Sequence, residues 1–282
     1  LLIKFLASLS LIRWYNLLSI LLAQYLTALF VFNPSVSKKA VLMNQDLHFI
    51  ALATGFIVAA GFIINSFYDL EKDLVLQPRK TVFNRLISST SAFRAYFLFN
   101  AIGLTFSFFT SYRVFIYFLF FSIALWYYSH KLQKKAIIRE ISASLLIVGS
   151  VLSIGLYYHH IDWNIAVYSI LVICQIFNLQ LSKEMLSFEA DEIVGNHTIP
   201  VHFGYAFAHR LHLIAFYGIS TLSLLMLLQS NSIPLKAFLG ILALSMLYAG
   251  FIISSEQRNE YVKSNVIVKV CLFFSILFIV FV

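Results

Sequence analysis

Residues 48–73 read HFIALATGFIVAAGFIINSFYDLEKD. Positions 48–68 are predominantly apolar, and a helix of that length crosses the roughly 30 Å of a bilayer's hydrocarbon core. The stretch ends in Asn65, Asp69 and Asp73, which are spaced by four. Because each step of four residues drifts by only about 40° around a helix, the three side chains share one face. This stretch therefore predicts a membrane-spanning helix with a polar site at one end.

The whole chain shares this apolar character. Of its 282 residues, 61% are hydrophobic and only 11% are charged, whereas soluble domains have roughly 45–50% and 25%. The composition excludes an ordinary soluble enzyme and a disordered chain, because one core of this size cannot hide so much apolar surface. Cys174 and Cys271 both fall inside apolar runs, which predicts small packing residues and neither a disulfide framework nor a metal site.

Nine apolar runs are long enough to be membrane-spanning helices. Their continuous apolar character excludes a transmembrane barrel, whose strands alternate in polarity. We therefore predict an all-α integral membrane protein, with residues 1–282 as a single domain. The predicted spans are 10–32, 48–68, 91–110, 113–129, 138–157, 163–182, 208–229, 233–254 and 265–282.

Basic residues are distributed unevenly between the connecting segments. Only four of the 20 lysines and arginines lie on the side that holds segments 34–47, 111–112, 158–162 and 230–232. Cytoplasmic loops carry the excess of basic residues, so the N-terminus is predicted to be cytoplasmic and the protein to be a multi-pass protein of the cell inner membrane. The net charge of +8 then reflects topology and contact with membrane lipids, and we expect no nucleic-acid partner.

The twelve acidic residues are concentrated at two predicted helix ends. Seven of them form two clusters, at the cytoplasmic ends of the second and sixth spans: Asp69, Glu71 and Asp73, then Glu184, Glu189, Asp191 and Glu192. Ionisable residues at membrane depth are costly, which makes them candidates for function. In the first cluster, the amide and carboxylate oxygens suit Mg²⁺, which takes one or two carboxylates and completes its coordination with water and phosphate oxygens. Arg79 and Lys80 follow and are predicted to contact phosphate oxygens.

The second cluster is less regular. Glu184, Ser187 and Asp191 share a face at spacings of three and four if the helix continues, whereas Glu189 points elsewhere. Gly195 and Pro200 mark a loop before the seventh span. An exposed loop, with its acids balanced by nearby cations, is the alternative interpretation.

Taken together, the two clusters resemble those of the UbiA superfamily of intramembrane prenyltransferases, which has nine transmembrane helices and Asp-rich motifs on the second and sixth. Asn65, Asp69 and Asp73 match its N-x-x-x-D-x-x-x-D motif. In the second motif, Ser187 replaces the first Asp of D-x-x-x-D and Glu184 replaces an upstream Asp. The positions that match the extended second motif are Glu189, Asp191, Gly195, Thr198 and Pro200.

The resemblance implies nine helices around a central cavity, with the site facing the cytoplasm. It also implies Mg²⁺-dependent transfer of a prenyl group from a polyprenyl diphosphate donor to a lipid or aromatic acceptor, through ionisation of the allylic diphosphate. The catalytic residues it implies are Asp69, Asp73 and Asp191. The metal ligands it implies are Asn65, Asp69, Asp73, Glu184, Ser187 and Asp191. Together with the adjacent motifs it implies these substrate-binding residues: Arg13, Asn16, Tyr68, Arg79, Lys80, Tyr128, Lys131 and Lys134.

Two alternatives remain open. The first is a catalytically altered family member that binds a prenyl lipid or serves as a subunit of a membrane assembly. It is favoured by Ser187, and by Leu179 and Gln180, which stand where the family often has an arginine. A transporter would place charges near the middle of several spans, whereas both clusters here lie at helix ends. Among the branches of the family, two stretches look most similar to those of geranylgeranylglyceryl phosphate transferases. They are R-W-x-N at residues 13–16 and T-x-P at residues 198–200, which ends the second motif. Chain length of the donor, oligomeric state and protein partners are left open.

Overall fold

The computed structural model describes residues 9–33, 35–69, 89–158, 163–254 and 257–282, which form helices and connecting turns with no strand among them. In chain order the helices are α1 (Trp14–Leu26, continued by a π-helical segment Thr27–Phe32), α2 (Lys38–Leu42), α3 (Gln45–Tyr68), α4 (Ser89–Thr110), α5 (Tyr112–His130), α6 (Ile138–Tyr158), α7 (Trp163–Leu186), α8 (Phe188–Val194), α9 (Ile199–Phe203), α10 (Tyr205–Gln229), α11 (Ile233–Ile253) and α12 (Arg258–Phe278).

Nine helices within the described ranges are long and apolar enough to cross a membrane: α1 with its π-helical segment, α3 to α7, and α10 to α12. This confirms the prediction of an all-α integral membrane protein with nine spans. Several boundaries differ from the prediction by a few residues; among them, α12 begins at Arg258 and α7 continues to Leu186. Both extensions contain charged residues, which continue a helix beyond the point where an apolar pattern ends.

The chain divides into two compact units. The first consists of Leu1–Gln133 and Gly149–His160, and the second of Lys134–Val148 and Ile161–Val282. Helix α6 therefore contributes its beginning to the second unit and its end to the first. A single domain over residues 1–282 stays a prediction.

Helix α3 is the centre of the first unit, where it packs against α1, α4 and α5. A buried polar cluster joins it to α1 and to the end of α6. The two hydrogens of Gln24 Nε2 are shared among three acceptors, Thr54 Oγ1 (2.7 Å), the Ser150 carbonyl (2.7 Å) and Ser153 Oγ (3.1 Å). Because no water is available inside a bilayer, such hydrogen bonds hold helices together at a defined rotation and depth.

The contact between α3 and α4 depends on Gly103. A Cβ atom at this position would lie 2.6 Å from Ile57 Cγ1 and 3.1 Å from the Ala53 carbonyl oxygen. We expect Gly103→Ala to lower the free energy of unfolding by about 1–3 kcal/mol, because overpacking forces the two helices apart. Thermal unfolding of the detergent-solubilised protein measures the change. Gly55→Ala on α3 is the control, because nothing lies within 4 Å of its added Cβ; equal Tm values for the two variants would contradict the prediction.

The second unit packs α7, α10, α11 and α12 around an apolar core that includes Phe216, Leu239 and Met246. Helices α7 and α12 are also joined by buried hydrogen bonds. The Tyr168 hydroxyl donates to the Ser275 carbonyl (2.6 Å), and Gln175 Nε2 donates to Ser275 Oγ (3.1 Å). These contacts hold α7, whose end carries the second acidic motif.

Candidate active site

The first motif lies where α3 ends. Asp69 is the residue after the last helical position, and its backbone N–H still donates to the Asn65 carbonyl (2.9 Å). The Asn65 amide donates from Nδ2 to Asp69 Oδ2 at 2.5 Å. The spacing of four thus brings these two side chains together, as the sequence predicted. The nitrogen of the amide faces Asp69 because its oxygen would repel a carboxylate.

Helix α5 supplies the partners that hold these residues. Ser129, which is 1% exposed, donates its one hydroxyl hydrogen to the Leu125 carbonyl (3.1 Å), and Asn65 Oδ1 lies 3.5 Å from the same oxygen. The Tyr68 hydroxyl shares a hydrogen bond with His130 Nδ1 (3.1 Å). Ser129 and His130 were missed as site residues by the sequence analysis. Their only signal in the sequence was their place between Tyr128 and Lys131, which were both predicted to bind substrate.

The other substrate-binding candidates in the first unit lie on α1 and α5. The Arg13 guanidinium lies over the Phe62 ring of α3, 5.5 Å from its centroid. Phe62 is about one helical turn before Asn65. Asn16 and Tyr128 are half-buried, and Lys131 is exposed with its Nζ 5.9 Å from the Tyr127 ring centroid. Lys134 is also exposed and lies in the second unit. Their contact with substrate stays a prediction.

Three of the predicted site residues lie outside the described residues: Asp73, Arg79 and Lys80. The prediction that Asp73 continues the face of Asn65 and Asp69 therefore stays untested. The described part of the first motif comprises Asn65 and Asp69.

The second motif centres on Asp191, which is fully buried on α8. The Ser187 hydroxyl donates to Asp191 Oδ2 (2.5 Å), and Asn196 Nδ2 donates to Oδ1 (3.0 Å). The loop returns to Asp191 because Gly195 ends α8 with φ of 72°, a left-handed conformation that favours glycine. Asn196 was missed by the sequence analysis, although it stands only five residues after Asp191.

The helix that carries the second motif is interrupted. Helix α7 ends at Leu186, Ser187 has φ of −104° and ψ of 10°, and α8 starts at Phe188. The regular helix assumed for Glu184, Ser187 and Asp191 is therefore broken at its middle residue. Ser187 and Asp191 still meet, because the Asp191 N–H donates to the Ser187 carbonyl at 2.9 Å.

Glu184 is separated from this pair by its own partners. Its Oε1 accepts a hydrogen bond from Arg139 Nη2 (2.8 Å), and its Oε2 accepts from the Ile199 backbone N–H (3.2 Å). Arg139 Nε also lies 3.3 Å from an oxygen of the fully buried Glu140. Arg139 and Glu140 were not predicted. The arrangement ties the end of α7 to the start of α6 and α9.

The donor atoms of both motifs fit a hard divalent cation. Asn65 and Asp69 provide amide and carboxylate oxygens, and Ser187 and Asp191 provide hydroxyl and carboxylate oxygens, which are the ligand types that Mg²⁺ accepts. No three His, Cys, Asp or Glu side chains form a metal site by themselves among the residues that the structure describes.

The whole fold is shared with solved membrane proteins. It is similar to a digeranylgeranylglyceryl phosphate synthase (TM-score 0.75, 18% identity, covering 98% of this chain and 97% of that chain). It is also similar to a UbiA homologue from Archaeoglobus fulgidus bound to GPP and Mg²⁺ (0.70, 18%, 98% and 100%). A third similar structure is the apo form of a UbiA homologue from Aeropyrum pernix K1 (0.71, 14%, 93% and 97%).

In sequence, no curated protein matches the chain significantly. The model of the UbiA prenyltransferase family, however, matches residues 17–277. This range contains both acidic motifs and leaves out only short segments at the two ends of the chain. On this match, the chain belongs to the UbiA prenyltransferase family.

Proposed function

We propose that this protein transfers a prenyl group from a polyprenyl diphosphate to a lipid or aromatic acceptor within the membrane, with Mg²⁺ as cofactor. The observation that carries the proposal is the paired arrangement of Asn65 and Asp69 at the end of α3, 2.5 Å apart. The buried carboxylate of Asp191 on α8 supports it. Solved UbiA homologues from Archaeoglobus fulgidus bound to GPP or DMAPP with Mg²⁺ have a similar fold.

In this proposal Asn65, Asp69 and Asp73 are Mg²⁺ ligands of the first motif, and Ser187 and Asp191 are Mg²⁺ ligands of the second motif. The Asn65 amide orients Asp69 through the hydrogen bond from its Nδ2, and the Ser129 hydroxyl lies beside this amide. Glu184 stays a predicted ligand, but its carboxylate is already paired with the cationic Arg139 guanidinium, whereas Ser187 and Asn196, which donate to Asp191, are neutral. This pairing and the hydrogen bond from the Ile199 N–H favour a role for Glu184 in positioning the loop after the second motif.

The reaction breaks the allylic C–O bond, and the bonding electron pair leaves with the diphosphate. When bound, Mg²⁺ supplies positive charge that stabilises this leaving group. Arg79, Lys80, Lys131 and Lys134 donate hydrogen bonds to its oxygens. The Tyr68 ring, held by His130, shields the allylic cation by cation–π attraction. A carbon or hydroxyl oxygen of the acceptor then forms the new bond and loses its proton.

Purified protein in lipid nanodiscs tests this proposal. With geranyl or geranylgeranyl diphosphate and a panel of glycerol-phosphate and aromatic acceptors, we expect pyrophosphate release that requires Mg²⁺. Mass spectrometry of the products identifies the acceptor, for which geranylgeranylglyceryl phosphate is the first choice. Donor binding without any product across the panel would contradict the proposal and support the second candidate function.

The second candidate function is that of a family member that binds a prenyl lipid without turning it over. The specific observation in its favour is Ser187, whose neutral hydroxyl stands where the family has a carboxylate. Lipids that co-purify with the protein, compared with those of a Ser187→Asp variant, distinguish the two candidates. An unreacted prenyl diphosphate that co-purifies with the parent protein, and not with Ser187→Asp, supports the second candidate function.

A substitution of Ser187 also tests whether the second motif binds Mg²⁺. In Ser187→Asp a second carboxylate faces Asp191, so we expect a lower Tm without divalent cations, because like charges repel. Mg²⁺ should restore the Tm, and the Mg²⁺ concentration for half-maximal stabilisation should fall by about tenfold, which corresponds to roughly 1.4 kcal/mol. Ser187→Asn is the neutral control. A Tm of Ser187→Asp that does not respond to Mg²⁺ would contradict metal binding at this position.

A further inference from the structure

The second unit contains a cavity of about 150 Å³ between the end of α7 and the start of α12. Its lining includes Met185, Phe188, Glu189, Tyr205, Arg258 and Tyr261. This volume is well below the ~300 Å³ of the smallest drug-sized pockets. The cavity therefore suits a small polar group rather than a whole hydrophobic molecule. It takes none of its lining from the residues assigned above to the metal or the donor.

Two opposite charges line this cavity without neutralising each other. Glu189 belongs to α8 and Arg258 to the first turn of α12, and both side chains are exposed. The ion pairs within the described residues involve Arg139 with Glu140 and Glu184, and Lys263 with Glu260. Glu189 and Arg258 are thus available to a ligand. A ligand with only a positive or only a negative charge would be repelled by one of these two side chains, whereas a zwitterion pairs with both.

The wall between the two charges is aromatic and held in place. Tyr205 contacts Phe188 edge to face (centroids 5.7 Å apart, 69°) and Tyr261 likewise (6.2 Å, 73°). Tyr261 is 1% exposed, shares a hydrogen bond with His209 Nδ1 (2.6 Å), and stacks on His212 (5.8 Å, 16°). Faces of tyrosine and phenylalanine attract ammonium groups, and most strongly beside a carboxylate. The cavity is therefore formed before any ligand binds.

We propose that this cavity binds the headgroup of a zwitterionic phospholipid, with the ammonium group against Glu189 and the aromatic wall and the phosphate on Arg258. Arginine donates two parallel hydrogen bonds to phosphate oxygens. Met185 and Phe188 provide apolar contacts for the first carbons of the lipid. The cavity lies where apolar helices meet their charged ends, and phospholipid headgroups occupy that level of a membrane.

Native mass spectrometry of the full chain in detergent tests the assignment directly. The delipidated protein is titrated with dioleoyl phosphatidylethanolamine or with dioleoyl phosphatidylglycerol, which has the phosphate but no ammonium group. We expect an apparent Kd at least about tenfold lower for phosphatidylethanolamine. Equal affinities for the two lipids would overturn the proposal. Soluble glycerophosphoethanolamine should bind more weakly than the lipid; equally tight binding would assign the cavity to a free phosphoethanolamine ester and overturn the lipid assignment.

Four variants locate the binding. Glu189→Gln and Arg258→Gln should each raise the Kd for phosphatidylethanolamine by about tenfold, and Glu189→Gln should also remove the preference over phosphatidylglycerol. Glu192→Gln on α8 and Arg210→Gln on α10 remove the same charges from exposed positions outside the lining, so their affinities should equal that of the parent protein. Unchanged affinity in both cavity variants would overturn the proposal. The comparison of the two lipids needs no variant, so a variant that fails to fold does not hide the result.

Discussion

Replacing Asp69 with asparagine is expected to lower Mg²⁺-dependent pyrophosphate release by at least about 100-fold, because the side chain keeps its shape and loses the charge that holds the cation. The Tm should change little, since an amide at position 69 still finds hydrogen-bond partners at the end of α3. Steady-state assays with saturating donor, over a series of Mg²⁺ concentrations, measure the loss. Added Mg²⁺ should recover only a small part of it.

Asp46→Asn is the matched control for this variant. Asp46 stands in the first turn of the same helix, at the end opposite Asp69, where the Tyr157 hydroxyl donates to its Oδ2 at 2.7 Å. The substitution removes the same charge and leaves an oxygen that still accepts this hydrogen bond. We expect activity within about twofold of the parent protein. Full activity in Asp69→Asn, with Mg²⁺ dependence retained, would show that the first motif is not the metal site.

Replacing Arg139 with methionine is expected to destabilise the second unit strongly. Arg139 is the cation beside two buried carboxylates, Glu140 (0% exposed) and Glu184 (3% exposed). Removing one partner of a buried ion pair costs about 3–5 kcal/mol, because the remaining charge is left buried and uncompensated. Thermal unfolding of the solubilised protein should show this as a large fall in Tm. Methionine keeps the length of the side chain, so lost packing is a minor part of the effect.

Two further variants separate charge from packing in this experiment. The triple variant Arg139→Met, Glu140→Gln and Glu184→Gln should recover most of the lost stability, because no buried charge remains. Lys263→Met breaks the pair of Lys263 and Glu260 (3.2 Å), whose lysine side chain is 63% exposed; exposed pairs contribute only about 0–1 kcal/mol. If Arg139→Met lost no more stability than Lys263→Met, the buried cluster would not hold α6, α7 and α9 together.

The segment around Ser187 shows which side-chain contacts the spacing of residues predicts correctly and which it does not. Spacing of four correctly predicted that Ser187 would meet Asp191, since the backbone hydrogen bond between them is helical. The same reasoning grouped Glu184 with them, but the interruption at Ser187 leaves Glu184 bonded to Arg139 and Ile199 instead. A helix break of one residue has no strong signal in a sequence without proline or glycine at that point.

The sequence by itself determined the nine spans, the family and the Asn65–Asp69 pair, because hydropathy and helical spacing act over one or two turns of chain. The tertiary structure alone decided that Ser129 lies beside Asn65, that His130 bonds Tyr68, that Arg139 pairs with Glu184, and that Arg258 and Glu189 line one cavity. Such contacts depend on the rotation and depth of each helix. In a chain that is apolar on its lipid-facing and protein-facing sides alike, a hydropathy pattern does not specify either quantity.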